Sequence, residues 1–461
     1  MSDWLTSALS YLPQWLSLQL AISGQPGFSV SIGLENEVVF DEAFGVANLD
    51  TDEPLTPRHR FRVASHSKTF TATGIMKLVE QGLLRLDDKL GHHLAGLHPA
   101  IADATVAQAL SHTSGVIRDG LDAGQWQDRR PFLNEEELCA ALAEPPILEA
   151  NTRFKYSNHA FGLLGLVIEK VTGEPYRDWI AREIVAAAGL TEAVPDIELL
   201  PPDAPFSRGH GGRMLLGRDA VIPADNSTRA LASATGFIST TADLVRFFSQ
   251  LSPEAEKSLL SVGSRREMTR PQWRVLDSAA ERSYGLGTIS GSIGDWSWFG
   301  HSGGFQGVRS QTAVFPRQGL TISVASNSIA VFAPAASLFE GIARILQMFE
   351  RHGAPSATLK DWSGRWWSLW EAIDLVALGD KVFVATPSQL NPFAEPSELV
   401  VTAPDQAKIV RAGGFMSHGE TAALIRGADG KVEAVRIGGS KLLPQQAAAA
   451  ELRAKYGSGK A

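Results

Sequence analysis

Val63-Ala64-Ser65-His66-Ser67-Lys68-Thr69-Phe70 carries the most informative residue spacing in this chain. It opens a helical pattern that runs to Gln81 and stops at Gly82, and it places Ser65 and Lys68 about one turn apart on one face. A buried lysine loses affinity for its proton and can take one from the serine, while the serine N–H at the helix start can donate to an oxyanion. Taken alone, the same spacing also fits an N-cap serine followed by a solvated lysine.

Two later segments carry side chains that could complete such a site. Tyr156-Ser157-Asn158 supplies a phenol, which can serve as a base and then as an acid, and an amide that can hold a carbonyl group. His301-Ser302-Gly303-Gly304 closes a predicted strand, and its glycines permit close approach of the backbone to a ligand. The N–H of Gly304 could donate to an oxyanion, and His301 could donate a hydrogen bond or relay a proton. Each segment alone is equally consistent with an ordinary turn or hairpin.

In this order, the three segments resemble the motifs of the penicillin-recognising serine hydrolases, which include class C β-lactamases, DD-peptidases, D-aminopeptidases and related esterases. Three flanking segments carry the same resemblance, which extends over roughly residues 25–350. These flanking segments are Gln108 to Gly115, Ala234 to Leu244 and Tyr284 to Gly287.

The resemblance implies a role for each of these residues. Ser65 is expected to be the nucleophile, and Lys68 and Tyr156 are expected to share the work of the general base. The expected substrate-binding residues are Asn158, His301, Gly303 and Gly304.

The sequence departs from the family pattern at two places. Ala150-Asn151-Thr152 stands where relatives usually have Pro-Gly-Thr, and because asparagine tolerates a positive φ, the turn can survive. His301 replaces a lysine, and with it a fixed cation that would bind a carboxylate. This replacement argues against penicillin hydrolysis and carboxypeptidase action.

The order of the predicted elements indicates an α+β fold with an all-α subdomain. Strands predicted over 27–44 and between about 285 and 327 enclose a largely helical stretch at about 66–235, and an amphipathic helix follows at 333–351. The resemblance further implies that this is a β-lactamase/DD-peptidase-like antiparallel sheet flanked by helices, which forms a catalytic domain over residues 1–353.

A second domain is expected after the segment 353–357, which resembles a linker. Period-two segments separated by turns such as Leu378-Gly379-Asp380 predict a small antiparallel β-barrel over 355–445, and the tail 446–461 is expected to be flexible. The barrel resembles the lipocalin-like domains appended to some D-aminopeptidase-type relatives, and we expect it to carry no catalytic group. Its tryptophans, which fit a barrel core better than a sugar-binding platform, are Trp362, Trp366, Trp367 and Trp370.

Composition narrows the classes of function. The 461 residues include 42 Lys and Arg against 50 Asp and Glu, a net charge of −8, and no basic stripe occurs, which argues against a nucleic-acid partner. We recognise no apolar run long enough for a membrane span and no leader, so we expect a cytoplasmic protein. We also recognise no metal-binding spacing, so we expect neither a metal nor a cofactor. Residues 4–22 predict a helix docked on the fold. The one cysteine, Cys139, predicts a buried thiol and excludes an internal disulfide.

These features predict a metal-free serine hydrolase that acts on a small-molecule or short-peptide substrate. The preferred substrates are small amides or peptides, including D-residue-containing ones, and the alternatives are a carboxylesterase of the same mechanism or a β-lactamase. A non-catalytic acyl-binding sensor that keeps the fold is the remote alternative, and the oligomeric state is left open. His112 and Ser114 are expected to pack beneath the site, whereas His210 could be structural or could contact the substrate.

Overall fold

The computed structural model describes residues 1–278, 280–329 and 334–457. The chain divides into two compact units, of which one is Gln25–Phe339 and the other combines Met1–Gly24 with Glu340–Ala461. The N-terminal helix therefore groups with the C-terminal residues, whereas the sequence placed it with the catalytic domain. The limits of the domains stay a prediction.

The unit Gln25–Phe339 is built on an antiparallel sheet whose strands come from both ends of its sequence. Its strands are β1 (Gly27–Leu34), β2 (Glu37–Asn48), β3 (Glu53–Pro54), β4 (Phe61–Arg62), β5 (Gly209–Gly211), β6 (Ala220–Ile222), β7 (Ile238–Ser239), β8 (Trp273–Arg274), β9 (Ser283–Tyr284), β10 (Ile289–Ile293), β11 (Trp296–Phe305), β12 (Val308–Phe315) and β13 (Leu320–Ser326). Among the described residues, the main sheet has the order β3-β2-β1-β13-β12-β11-β10-β9-β8. β4 pairs with β7 and β5 pairs with β6 outside this sheet.

Helices fill most of the stretch between β4 and β7. The α-helices of the chain are α1 (Asp3–Ser23), α2 (Ser67–Glu80), α3 (Pro99–Ala102), α4 (Val106–Leu110), α5 (Glu135–Leu142), α6 (Asn158–Thr172), α7 (Tyr176–Ile180), α8 (Arg213–Leu216), α9 (Ala232–Thr235), α10 (Thr241–Ser249), α11 (Val262–Thr269), α12 (Pro334–His352) and α13 (Gln445–Tyr456). The predicted α+β fold with an all-α subdomain is confirmed.

Local sequence explains the helices that matter for the site. α6 begins where the Ser157 hydroxyl accepts the Ala160 N–H at 2.9 Å and ends at Gly173, whose φ of 74° is one that glycine adopts readily. α2 lies in the core, where the Phe70 ring stacks between Phe237 at 4.0 Å and Phe247 at 3.8 Å between centroids. A helix held by such packing gives its side chains fixed positions.

Two expectations for single residues are settled in this unit. Cys139 is exposed on α5, so the prediction of a buried thiol is wrong, because the buried face of this helix is formed by Leu138 and Leu142. His210 is buried, and its Nδ1 lies 2.8 Å from the Asn327 carbonyl oxygen while its Nε2 accepts the Leu49 N–H at 3.2 Å. Its role is therefore structural.

The other unit contains the barrel that the sequence predicts. Its strands are β14 (Gly364–Trp367), β15 (Ala372–Leu378), β16 (Lys381–Ala385), β17 (Ser397–Ala403), β18 (Gln406–Arg411), β19 (Thr421–Arg426), β20 (Val432–Ile437) and β21 (Ser440–Leu442). Each strand pairs antiparallel with the next, and backbone hydrogen bonds between Trp367 and Leu443 at 2.8 and 2.9 Å bring the two ends together. Trp362 and Trp366 lie in its core, whereas Trp370 is 91% exposed, so the expectation of a core position is wrong for Trp370.

Both termini of the chain are helical in this unit. α1 buries Trp15, and the Tyr11 hydroxyl donates to Asp374 Oδ2 at 2.8 Å, so the predicted docked helix is confirmed. α13 occupies most of the tail that was expected to be flexible, with none of its side chains buried. Residues 458–461 lie outside the described residues, and the flexibility of the tail stays a prediction.

Of the helices that the structure describes, none has the length and apolar character needed to cross a lipid bilayer.

Candidate active site

Ser65 lies in a tight turn that precedes α2. The turn is a single 3₁₀ turn, Ala64–His66, and Ala64 has a φ of 49°, an uncommon conformation for a residue with a side chain. The Ser67 hydroxyl fixes the turn, since it donates to the Ala64 carbonyl at 2.5 Å and accepts the Phe237 N–H at 2.9 Å. This geometry leaves Ser65 partly exposed at the wall of a cavity.

Lys68 lies on the first turn of α2, completely buried behind Ser65. Its Nζ is 3.3 Å from Ser65 Oγ, 2.7 Å from Asn158 Oδ1 and 2.8 Å from the Ala234 carbonyl oxygen. Burial lowers the pKa of Lys68 well below its usual range, and Asp119 opposes this shift only in part. A neutral amine can donate to Asn158 and Ala234 and still turn its lone pair toward the serine proton.

Tyr156 stands at the cavity wall just before α6. Its ring packs 4.2 Å from the His112 ring, centroid to centroid, and lies 4.8 Å from Lys68 Nζ. Burial raises the pKa of Tyr156 well above its usual range, although a hydrogen bond to Ser65 offsets part of the shift. The phenol therefore keeps its proton at neutral pH.

The loop that leads to Tyr156 is held by the histidine expected beneath the site. His112 is fully buried, and its Nδ1 accepts the Ser157 N–H at 3.1 Å. The His112 ring also contacts Tyr156, which places this histidine beneath the cavity wall as predicted, and Ser114 is buried as well. Asn151 has a φ of 64°, which confirms that asparagine takes the place of the usual glycine in this turn.

β11 brings the third motif beside the Ser65 turn. A Cβ atom on Gly303 would lie 2.1 Å from the Val63 carbonyl oxygen, so only glycine allows the strand to approach so closely. A Cβ atom on Gly304 would meet the tip of the Arg309 side chain. Gly303 and Gly304 line the same cavity as Ser65, with the Gly304 N–H as the candidate second oxyanion donor.

His301 is buried on β11 and carries no positive charge. Its Nε2 is 3.0 Å from the Tyr284 hydroxyl, and its Nδ1 is 2.7 Å from the Ser302 carbonyl oxygen. Burial, together with the nearby His66 and Lys68, holds the pKa of His301 well below its usual range. The residue thus differs in charge from the lysine that it replaces.

The cavity has a volume of about 820 Å³ and a mixed lining. Trp126 and Phe305 form an aromatic wall, with ring centroids 6.0 Å apart. Its charged lining residues are Arg118, Asp119, Arg282 and Arg309. The cavity therefore contains cationic side chains, although the third motif supplies none. Replacement of the family lysine by His301 is thus no longer an argument against substrates that carry a carboxylate.

The structure brings all the predicted site residues together, with Lys68 behind the wall and the others lining the cavity. Several residues of the site were assigned no role in the sequence analysis. These are Arg118, Asp119, Trp126, Arg282, Tyr284 and Arg309. Tyr284 stands in a segment that already carried the resemblance, but the others lie outside every quoted motif.

Comparison with known families gives one match that extends over most of the chain. The model of the family described as Beta-lactamase matches residues 14–346.

Three individual relatives share between 24% and 32% sequence identity with this chain over the aligned residues. Penicillin-binding protein 4* of Bacillus subtilis (strain 168) is 32% identical over 159 residues, which are 34% of this chain and 35% of that protein, so the chain spans about a third of that relative's length. The octameric penicillin-binding protein homologue from Pyrococcus abyssi is 24% identical, with a TM-score of 0.62 over 94% of this chain and 99% of that chain. The D-stereospecific amidohydrolase from Streptomyces sp. is 26% identical, with a TM-score of 0.57 over 70% of this chain and 95% of that chain.

Proposed function

The chain belongs to the beta-lactamase family. We propose that it is a serine hydrolase that cleaves small amides or short peptides, including D-residue-containing ones, through an acyl-enzyme on Ser65. The observation that carries the proposal is the placement of Lys68, which is fully buried with its Nζ 3.3 Å from Ser65 Oγ. A buried amine with a lowered pKa next to a partly exposed hydroxyl is an arrangement that activates a nucleophile.

Acylation begins with transfer of the Ser65 proton to the neutral Lys68 amine. Ser65 Oγ then forms a bond to the substrate carbonyl carbon, and negative charge develops on the carbonyl oxygen. In this proposal, the N–H groups of Ser65 and Gly304 stabilise that charge as an oxyanion hole. Asn158 can offer the second N–H of its amide to the substrate carbonyl group. His301, whose two ring nitrogens are engaged by Tyr284 and Ser302, shapes the cavity wall beside the substrate.

The leaving group departs with a proton from Tyr156. The C–N bond of the tetrahedral adduct breaks as the phenol gives its proton to the amine, and the Lys68 ammonium returns a proton to Tyr156. Water then attacks the acyl carbon and gives a proton to the neutral Lys68 amine. The bond from that carbon to Ser65 Oγ breaks, and Lys68 returns the proton to Ser65 as the acid leaves. This assignment supports amides, because an amine leaving group needs the proton that a protonated phenol supplies, whereas an activated ester does not.

The pH dependence should reveal the state of Lys68. Only the neutral amine accepts the serine proton, so kcat/KM should rise with pH through the Lys68 pKa and stay level above it. At pH 8 an ordinary lysine with a pKa of about 10.4 is neutral in less than roughly 1% of molecules. Because burial lowers the pKa of Lys68 well below this value, we expect the rise of kcat/KM to be centred well below pH 10. The measurement is kcat/KM for a p-nitrophenyl ester from pH 4 to 11, and a rise centred near pH 10 would contradict the assignment.

Two neighbouring glycines should respond differently to alanine. In Gly303→Ala the new methyl group would meet the Val63 carbonyl oxygen at 2.1 Å, and because that atom is backbone, β11 must shift away from Ser65. In Gly304→Ala the methyl group would meet only the tip of Arg309, a flexible side chain that can move. We expect Gly303→Ala to lower the rate of Ser65 acylation at least about 100-fold, as misplaced catalytic groups do, and Gly304→Ala to remain within about 10-fold. Equal losses in the two variants would show that the approach of β11 is not what the site needs.

A substrate panel tests the proposal and separates it from its nearest alternative. The panel contains p-nitrophenyl esters, D- and L-aminoacyl p-nitroanilides and nitrocefin, each assayed with wild-type protein and with Ser65→Ala. We expect turnover of the nitroanilides that depends on Ser65, with the D-series preferred. Turnover of the esters alone would identify a carboxylesterase of the same mechanism, and turnover of nitrocefin alone a β-lactamase. A burst of product without turnover would contradict hydrolysis and favour an acyl-binding sensor.

A further inference from the structure

Asp119 lines the cavity, and both of its carboxylate oxygens are engaged. Oδ1 accepts N–H groups from Asn158 Nδ2 at 2.5 Å and Trp126 Nε1 at 2.9 Å, while Oδ2 is 3.0 Å from Arg118 Nε. The Asp119 side chain is 11% exposed, whereas that of Arg118 is 65% exposed. A carboxylate with three donors is held in one position.

The Asn158 amide lies between Asp119 and Lys68. Its Nδ2 donates to the carboxylate, and its Oδ1 accepts from Lys68 Nζ at 2.7 Å. A carboxylate can only accept hydrogen bonds, so the NH₂ group of Asn158 must face Asp119. The amide oxygen then faces Lys68 Nζ and accepts one of its N–H groups, whether the amine is neutral or protonated.

We propose that Asp119 is a positioning residue, which fixes the orientation of the Asn158 amide and thereby holds the Lys68 amine against Ser65. The inference rests on the proposed function, in which Lys68 accepts the Ser65 proton. Without the oriented amide oxygen, the Ala234 carbonyl is the remaining fixed acceptor that keeps Nζ in place next to the serine. Asp119 acts through Asn158 and does not need to touch the substrate.

The charges around Lys68 predict how the pH dependence of kcat/KM should change when Asp119 is replaced. Burial lowers the pKa of Lys68 most, Asp119 raises it and Arg118 lowers it. The other titratable groups near the amine are Tyr156, His112 and His301, and all three stay neutral near pH 7, because burial raises the tyrosine pKa and lowers both histidine pKa values. In Asp119→Asn the Lys68 pKa therefore falls further. The rise of kcat/KM with increasing pH, which is the acid limb of the profile, then moves to lower pH.

The experiment measures kcat/KM against pH for two substrates of different charge. One is a p-nitrophenyl ester without an amino group, and the other is an aminoacyl p-nitroanilide with a free α-ammonium. We expect Asp119→Asn to lower kcat/KM for both by about 10- to 100-fold, the loss typical of a hydrogen bond to a charged group, and to move the acid limb to lower pH. The matched control is Trp126→Phe, which removes another donor from the same oxygen but keeps the charge, so its acid limb should not move.

Other outcomes decide against the proposal. A loss confined to the α-ammonium substrate would mean that Asp119 binds the substrate amine, and an unshifted limb with an unchanged rate would mean that its role is structural. If Asp119→Asn does not fold, Asp119→Glu serves instead, because it keeps the charge but displaces the carboxylate from the Asn158 amide; an unchanged kcat/KM in that variant would overturn the inference. Labelling of wild-type Ser65 by a fluorophosphonate distinguishes failure of the proposed function from failure of the inference about Asp119. If wild-type Ser65 is not labelled, the proposed function has failed, whatever the role of Asp119.

Discussion

Ser65→Ala is expected to lower kcat by roughly 10³- to 10⁶-fold, the range that follows removal of a nucleophile. The alanine cannot form the acyl bond, while the cavity and the donors around it stay in place. Binding should change little, because Ser65 contributes one hydroxyl to a cavity of about 820 Å³. The measurement is turnover of the preferred nitroanilide by purified wild-type and variant protein, together with labelling by a fluorophosphonate probe.

The control for this variant is a serine on the same sheet. Ser297 is exposed on β11 and lies outside the cavity lining, so Ser297→Ala should keep both turnover and labelling. Peptide mapping of the labelled protein should place the probe on Ser65. If Ser65→Ala retains more than a tenth of the activity, or if the probe is found on another serine, the assignment of the nucleophile is wrong.

The parts of the fold that the sequence predicted are those with a local cause. α2 and α6 end at glycines because a left-handed residue stops a helix, and both stops could be recognised in the sequence. Apolar residues recur with a period of two along the strands of the sheet and barrel. This pattern can be recognised in the sequence without knowledge of tertiary contacts. The three motifs predicted a shared site because, in this order, they resemble the motifs of a known family, although each motif alone also fits an ordinary turn or hairpin.

The remainder depends on contacts between residues distant in sequence. Asp119 is an ordinary acidic residue until the fold brings it to Asn158, and Arg309 is an exposed arginine of β12 that faces Gly304 only through strand pairing. Cys139 was misassigned because an apolar helical run does not indicate which residues face outward. Trp370 was misassigned because proximity in sequence to three other tryptophans does not determine the face of a strand or loop on which a ring lies.

Tyr156→Phe is expected to lower kcat/KM for amide substrates by about 10²- to 10⁴-fold, as loss of a positioned acid or base does. The substitution removes only the hydroxyl, so the ring keeps its contact with His112 at 4.2 Å and its position beside Lys68. The thermal unfolding midpoint should therefore change little. For p-nitrophenyl esters the loss should be smaller, because p-nitrophenolate leaves without a proton. The measurement is the ratio of amide to ester kcat/KM in the variant and in the wild type.

The matched control is the neighbouring tyrosine, whose hydroxyl bonds to His301 at 3.0 Å. Tyr284→Phe leaves the buried His301 Nε2 without that partner, a change that costs about 1–3 kcal/mol of stability. Its main effect should thus be on unfolding, with a much smaller effect on the amide-to-ester ratio. If Tyr156→Phe lowers mainly the amide-to-ester ratio and Tyr284→Phe lowers mainly the stability, then Tyr156 transfers a proton and Tyr284 has a packing role. If Tyr156→Phe instead lowers amide and ester turnover by the same factor, the phenol does not protonate the leaving group, and if it keeps full activity at every pH, the proton chemistry belongs to Lys68 alone.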